Sequence, residues 1–111
     1  MDELDTIQSQ LYKEAITHSS TGEAAHNERL EFLGDAVLSV IISEWLYSNE
    51  ENLSVGRMSQ IRAATVREES LASVARKLDL GSKVRISKGE EKSGGRLRPS
   101  LLADTFEAVI A

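Results

Sequence analysis

Three acidic residues recur along one predicted helix at a spacing that places them side by side. Glu28, Glu31 and Asp35 stand at positions i, i+3 and i+7. At about 100° per residue, their side chains fall within a stripe about 60° wide on the helix surface. Like charges stacked in this way repel one another, and the same helix is otherwise largely apolar. The spacing therefore indicates that a positive species neutralises the stripe.

A second acidic pair, Asp104 and Glu107, has i, i+3 spacing between apolar residues near the end of the chain. If the two helices pack together, four or five carboxylates share one cleft. The chain has no Cys, so the oxygen donors favour a hard cation such as Mg²⁺ or Mn²⁺. The alternative is an ordinary solvated face, or acids paired with Arg29 or Arg62. The residues alone favour a divalent-metal site and do not identify a substrate.

The composition predicts one globular, all-α domain over residues 1–111. Hydrophobic residues make up 41% of the 111 residues, and there is one Pro, which fits a chain with several long stretches of helical period. No apolar run approaches the roughly 20 residues of a membrane span, and no signal-peptide pattern begins the chain. We therefore expect a soluble, cytoplasmic protein.

The 3.6-residue period predicts five helices. They cover residues 5–17, residues 27–47 with Asn27 as N-cap, a stretch after Ser54, a stretch closed by Gly81 as the C′ residue, and residues 100–111 with Pro99 in the first turn. The second helix is apolar around most of its circumference, which predicts a central, buried position. The last helix is still apolar where the sequence stops, so we expect a helical bundle truncated at the C-terminus.

Charge is distributed unevenly along the chain. Residues 1–51 hold eleven acids and two bases, a net charge of −9, whereas residues 52–98 hold eleven bases and five acids, a net charge of +6. The overall charge of −5 argues against nucleic-acid binding, but the basic half weakens that objection. An uneven solvated surface is an equally good explanation. Residues 82–98 lack a helical period and contain three glycines, which predicts a mobile basic loop.

Four segments together resemble the bacterial ribonuclease III family. The run at residues 27–38, NERLEFLGDAVL, resembles the family's signature motif, and the segments at 11–20 (LYKEAITHSS), 89–96 (GEEKSGGR) and 102–110 (LADTFEAVI) follow the family's order. The resemblance covers nearly the whole chain and implies the catalytic domain, an all-α helical bundle. The family's domain normally continues further and is followed by a double-stranded-RNA-binding domain, so the resemblance implies an incomplete domain here.

The resemblance assigns roles to the acidic residues. It implies that Glu31, Asp35, Asp104 and Glu107 coordinate Mg²⁺, for which Mn²⁺ may substitute, and that Asp35 and Glu107 are the residues most needed for catalysis. It places Glu28 near RNA at the edge of the site. The implied reaction is hydrolysis of double-stranded RNA to 5′-phosphate and 3′-hydroxyl ends during RNA processing.

Further implications concern partners. The resemblance implies a homodimer in which Phe32 inserts into a socket on the partner subunit. It implies that residues 82–98, the basic segment, which includes Lys92 and Arg96, follow the RNA backbone. It implies neither a membrane nor a small-molecule substrate. At Val55 the chain departs from the acid usual in bacterial members, which we expect to alter RNA engagement more than chemistry.

Two other functions stay open at this point. One is a non-cleaving RNA- or protein-binding module with the ribonuclease III fold, and the other is a helical interaction protein without an RNA role. We expect His18 and His26 to have capping or surface roles in their loop and not to act as bases.

Overall fold

The computed structural model describes residues 3–111, and over that range the fold is all-α, as predicted. The helices are α1 (Glu3–Ala15), α2 (Glu28–Asn49), α3 (Val55–Thr65), α4 (Glu68–Lys77), α5 (Leu80–Lys83), α6 (Lys88–Lys92) and α7 (Pro99–Ile110). Two short 3₁₀ turns cover Ser19–Thr21 and Gly95–Leu97. In the described residues the only β-type pairing is a single parallel bridge between Thr17 and Arg85. No helix in this range is both long and apolar enough to span a bilayer.

Helix α7 lies at the centre of the molecule and packs along both α2 and α4. Its apolar residues join a core contributed by four helices: Leu38, Leu71, Ala72, Ala75, Leu80, Leu102, Ala103 and Phe106. On α4, Ala72 and Ala75 are fully buried, and their small side chains let α7 approach closely. Burial of side chains such as Leu102 and Phe106 stabilises the fold by about 1.5–3 kcal/mol each.

The contact between α2 and α7 depends on Gly34. A Cβ atom added there would lie 1.7 Å from the carbonyl oxygen of Glu107, far inside van der Waals contact. Gly34 is buried in the second turn of α2, where glycine is unfavourable for helix formation by roughly 1 kcal/mol relative to alanine. The absence of a side chain therefore serves helix packing and not backbone flexibility.

Several predicted helix ends are confirmed. The Ser54 hydroxyl caps α3 by accepting a hydrogen bond from the Arg57 amide at 3.1 Å, and Pro99 occupies the first turn of α7. The prediction for Gly81 is wrong. Asp79 takes the left-handed conformation after α4, with φ 56°, which a short polar side chain tolerates better than most. Gly81 lies within α5, where a Cβ atom would be 3.0 Å from the Arg96 carbonyl oxygen.

The first helix ends two residues earlier than the predicted range of residues 5–17. Helix α1 stops at Ala15, because the backbone of the next residues pairs with a distant segment. The Arg85 amide donates to the Ile16 carbonyl at 2.6 Å, and the His18 amide donates to the Arg85 carbonyl at 2.9 Å. Local periodicity cannot reveal this competing partner.

The prediction that residues 82–98 form a loop without helical structure is wrong. Helices α5 and α6 and the 3₁₀ turn occupy most of the segment. Arg96 donates from Nη1 to the carbonyls of Gly81 at 2.9 Å and Val84 at 2.7 Å and forms an ion pair with Glu91. Arg98 forms an ion pair with Glu90. These tertiary contacts give the segment a fixed conformation that its sequence period does not indicate.

The prediction that α2 is buried on most of its surface is also wrong. Gly34, Leu38 and Leu46 are buried, but Phe32 is 83% and Val40 64% exposed. Helix α7 covers one face of α2 extensively, whereas α1 and α3 make few contacts with it. An apolar face of α2 is consequently open to solvent.

The Gly34 contact predicts that Gly34→Ala strongly destabilises the fold. The added methyl forces α2 and α7 apart, and overpacking of this kind typically lowers the free energy of unfolding by about 1–3 kcal/mol or more. Gly56→Ala is the matched control, because a Cβ atom there would meet only the Ser54 Oγ, at 4.0 Å. That change in an exposed helix should stabilise by about 0.4–1 kcal/mol. Urea denaturation measures both; equal effects of the two substitutions would contradict the packing role of Gly34.

Candidate metal centre

Helix α2 presents three of its four acidic residues on the first two turns. Glu31 is half-buried, and Glu28 and Asp35 are exposed on either side of it. Carboxylates in the first turn interact favourably with the partial positive charge at a helix N-terminus, so Glu28 and Glu31 fit their positions. Glu31 and Asp35 flank the buried Gly34, where α2 contacts α7, and both lie close to acids of α7.

Helix α7 contributes the second acidic pair. Asp104 and Glu107 are half-buried, whereas Ala103, Thr105 and Phe106 are buried. The acids are therefore held at the edge of the core by side chains that anchor the helix on its other faces.

The two helices bring the predicted acids together. Carboxylate oxygens of Glu31, Asp104 and Glu107 all lie within 4.8 Å of one another. Asp35 joins this group, since it lies within hydrogen-bonding reach of Glu107, as Asp104 does of Glu31. We call Glu31, Asp35, Asp104 and Glu107 the carboxylate cluster. Glu28 lies outside it but is close enough for its charge to act on Glu31.

Two acids of the carboxylate cluster, Glu31 and Glu107, retain protons more strongly than ordinary acids. Desolvation, followed by the charge of Asp104 and a hydrogen bond with it, raises the pKa of Glu31 from its ordinary 4.5 to about 7. Desolvation, followed by a hydrogen bond with Asp35 and its charge, raises the pKa of Glu107 to about 8. Both shifts have the same causes, which are partial burial first and the closeness of other acids second.

No basic side chain neutralises the cluster in the part of the chain that is described. The ion pairs found there are Arg85–Glu23, Arg96–Glu91 and Arg98–Glu90, all away from the cluster. Arg62, a possible counter-charge from the sequence, donates instead to the Ser43 hydroxyl at 2.8 Å. The cluster therefore offers several anionic oxygens to a cation, an arrangement that suits hard divalent ions.

A family model for ribonuclease-III-like domains matches residues 8–111. The chain belongs to the ribonuclease-III-like family. Among curated relatives, Ribonuclease 3 of Caldanaerobacter subterraneus is 56% identical over 106 residues, and that of Campylobacter concisus is 49% identical over 102 residues. These matches cover 91% and 92% of this chain but 46% of each relative, so the chain spans about half the length of the relatives it matches.

Solved structures show the same fold. Two structures of the nuclease domain of ribonuclease III from Campylobacter jejuni superimpose with TM-scores of 0.87 and 0.84, at 38% and 37% sequence identity. They cover 97% and 98% of this chain, and 80% of each solved chain is matched. One of them is described as flexible in a region involved in dimer formation of that domain. The ribonuclease-III-like fold predicted from the sequence is confirmed.

Other predicted site residues of this ribonuclease-III-like domain lie outside the carboxylate cluster. Phe32 follows Glu31 but is 83% exposed. Lys92 is exposed at the end of α6. Arg96 is half-buried, and its guanidinium is bound to backbone carbonyls and to Glu91. Val55, at the start of α3, is 75% exposed and takes no part in the cluster.

The structure gives Asn27 a role that the sequence did not reveal. Asn27 occupies the N-cap position of α2 as predicted, but its side chain makes no capping hydrogen bond. Its Nδ2 instead donates to the Ala15 carbonyl at 3.2 Å. The N-cap pattern located the helix start, but it gave no signal for a partner twelve residues earlier.

The raised pKa values predict how the stability of the metal-free protein depends on pH. Below pH 4.5 both carboxyls are protonated in the folded and the unfolded chain, so they contribute no difference. As pH rises, the unfolded chain releases these protons first, so the folded state is destabilised relative to it. This loss of stability grows until the pH passes the folded-state pKa values, about 7 for Glu31 and about 8 for Glu107. Melting temperatures measured in EDTA should show that Glu107→Gln becomes more stable relative to the parent as pH rises from 5 to 8.

The matched control is Glu44→Gln, which removes an exposed acid from the same helix. Its difference in melting temperature from the parent should not grow over this pH range. A constant difference between Glu107→Gln and the parent would contradict the proton retention assigned to Glu107.

Proposed function

We propose that this chain is the nuclease core of a ribonuclease III-type endoribonuclease that acts in cytoplasmic RNA processing. The proposed reaction is hydrolysis of phosphodiesters in double-stranded RNA, assisted by Mg²⁺ or Mn²⁺, to give 5′-phosphate and 3′-hydroxyl ends. The observation that carries the proposal is the convergence of the carboxylate cluster from α2 and α7. The names of the relatives and of the matching nuclease domains support the same class of activity.

The residues of the carboxylate cluster fit a divalent cation. Glu31, Asp104 and Glu107 present oxygens within 4.8 Å of one another, and Asp35 is adjacent to Glu107. The raised pKa values of Glu31 and Glu107, which result from burial and neighbouring acids, support this fit, because cation binding would displace the protons that these acids retain. When bound, a divalent ion would lower the pKa of an attacking water and stabilise the departing 3′ oxygen.

The chain's own residues divide the remaining work. Asp35 is the exposed member of the carboxylate cluster, so it is the acid best placed to meet a substrate phosphate and its attacking water. Glu107 is half-buried between Asp35 and Glu31 and would fix the geometry of both. Neither histidine is available as a base through Nδ1, since His18 and His26 accept hydrogen bonds there from the amides of Ser20 and Glu28.

Double-stranded RNA is the proposed substrate, and the match to ribonuclease-III-like domains supports it. We propose that Glu28 borders the bound RNA and that the exposed Lys92 contacts its backbone. The protein would then recognise the shape and the phosphates of the duplex and not its sequence. Arg96 was predicted to contact RNA as well. Its internal hydrogen bonds now favour an indirect contribution, in which Arg96 fixes the conformation of the basic segment.

Substitution of one cluster acid tests the proposed chemistry. Glu107→Gln keeps the shape of the side chain and removes one anionic ligand, so cleavage of a long RNA duplex in Mg²⁺ should fall by orders of magnitude while duplex binding persists. Gel analysis with Mg²⁺ and with EDTA measures cleavage, and Glu44→Gln should cleave like the parent. Undiminished cleavage by Glu107→Gln would rule out the assignment; binding without any cleavage by the parent would identify a non-cleaving RNA-binding module.

Exposure of Phe32 supports a homodimer, which the flexible dimer-forming region of the related Campylobacter jejuni domain also suggests. Loss of a buried aromatic side chain typically costs about 3–5 kcal/mol, so Phe32→Ala should shift a micromolar dimer to monomer. Sedimentation equilibrium measures the change, and Tyr47→Ala serves as control because Tyr47 is equally exposed, at 82%, near the other end of α2. An unchanged dimer, or an equal loss with both substitutions, would refute an interface centred on Phe32.

A further inference from the structure

The start of α2 is attached to the rest of the molecule by a buried residue that does not cap the helix. Asn27 is 3% exposed, and its φ of −86° and ψ of −1° are helical values. A capping Asn normally has extended backbone and accepts a hydrogen bond from its own helix. Here the amide of Asn27 donates to the Thr17 carbonyl at 2.8 Å, and Nδ2 donates to the Ala15 carbonyl at 3.2 Å. The two donors therefore bind the last residue of α1 and the segment that follows it.

The acceptor segment is itself held firmly. Thr17 is completely buried; its hydroxyl donates to the Lys13 carbonyl at 2.6 Å and accepts from Nη1 of Arg85 at 3.0 Å. Nη2 of Arg85 lies 2.8 Å from a carboxylate oxygen of Glu23. Since the Arg85 backbone also bridges residues 16 and 18, three separate parts of the chain meet at this point. We call Thr17, Asn27 and Arg85 the anchor.

The anchor is one helical turn from the carboxylate cluster. The Glu31 amide donates to the Asn27 carbonyl at 2.8 Å, so the position of Asn27 sets the height and rotation of the turn that carries Glu31. When both are ionised, Glu31 and Asp104 repel each other, which tends to push this turn of α2 away from α7. The hydrogen bonds of Asn27 restrain the start of the same helix against that movement.

We propose that Asn27 is a positioning residue, which holds Glu31 within the carboxylate cluster in a geometry ready for a divalent cation. The inference rests on the proposed function, because it takes the cluster to be a cation site. Asn27 acts through the backbone of α2 and through the anchor, and it does not itself contact the cation. Removal of its link to Ala15 should therefore weaken cation binding without preventing helix formation.

Asn27→Ser separates these two effects. Serine is too short to reach the Ala15 carbonyl, yet it keeps the backbone amide that donates to Thr17 and the carbonyl that accepts from Glu31, so α2 loses only its side-chain attachment. Binding of Mn²⁺ is measured by the loss of the free-ion signal in electron paramagnetic resonance, at a temperature well below unfolding. We expect about tenfold weaker Mn²⁺ binding, the lower end of the range for residues that orient metal ligands.

Ser54→Ala is the matched control, because it removes a cap from α3, which carries none of the cluster. It should lower the melting temperature and leave Mn²⁺ affinity unchanged. Parental affinity in Asn27→Ser, or equal weakening in Ser54→Ala, would overturn the inference.

If Asn27→Ser does not fold, Arg85→Gln is the second test. The side chain of Arg85 is half-exposed, and its replacement breaks the links to Thr17 and Glu23. Mn²⁺ binding should then weaken severalfold, whereas unchanged affinity would refute the role of the anchor. Absence of Mn²⁺ binding by the parent would instead refute the proposed function.

Discussion

Gly34 brings the backbones of α2 and α7 so close that one added carbon atom would overlap the carbonyl of Glu107. That carbonyl belongs to a member of the carboxylate cluster, so the closest helix contact and the candidate site share the same residue. On the opposite face of α7, Ala72 and Ala75 of α4 hold the helix in the core. The distance between α2 and α7 therefore fixes both the packing of the domain and the separation of its acids.

Hydrophobic burial supplies the force that keeps these acids together. Two ionised carboxylates about 5 Å apart repel by about 3 kcal/mol at an effective dielectric constant of about 20. Proton uptake by Glu31 and Glu107, whose pKa values are about 7 and about 8, relieves part of this repulsion. Burial of Phe106 and Leu102 on the same helix contributes about 1.5–3 kcal/mol for each side chain, enough to oppose the remainder.

The sequence predicted the elements that local chemistry determines. The i, i+3 spacings of the acids, the Ser54 cap and the position of Pro99 all depend on neighbours within one turn, and the described structure confirms those spacings as helical. Contacts between distant residues were not predictable from one sequence. The Arg85–Thr17 hydrogen bond joins positions 68 residues apart, and the same kind of long-range pairing orders residues 82–98, where no helical period is present. The exposed face of α2 was not predicted, because apolar composition does not reveal which faces of a helix are covered by other helices.

Because ion pairs help to hold the basic segment in place, ionic strength affects both its conformation and its attraction to a polyanion. Arg85, Arg96 and Arg98 are each bound to a glutamate, so they add less positive charge to the surface than their number suggests. Exposed lysines on α6, Lys88 and Lys92, are left as the more accessible point charges of this segment. Salt screens ion pairs and attraction to a polyanion alike, so added salt should loosen the segment and also weaken the proposed contact with RNA.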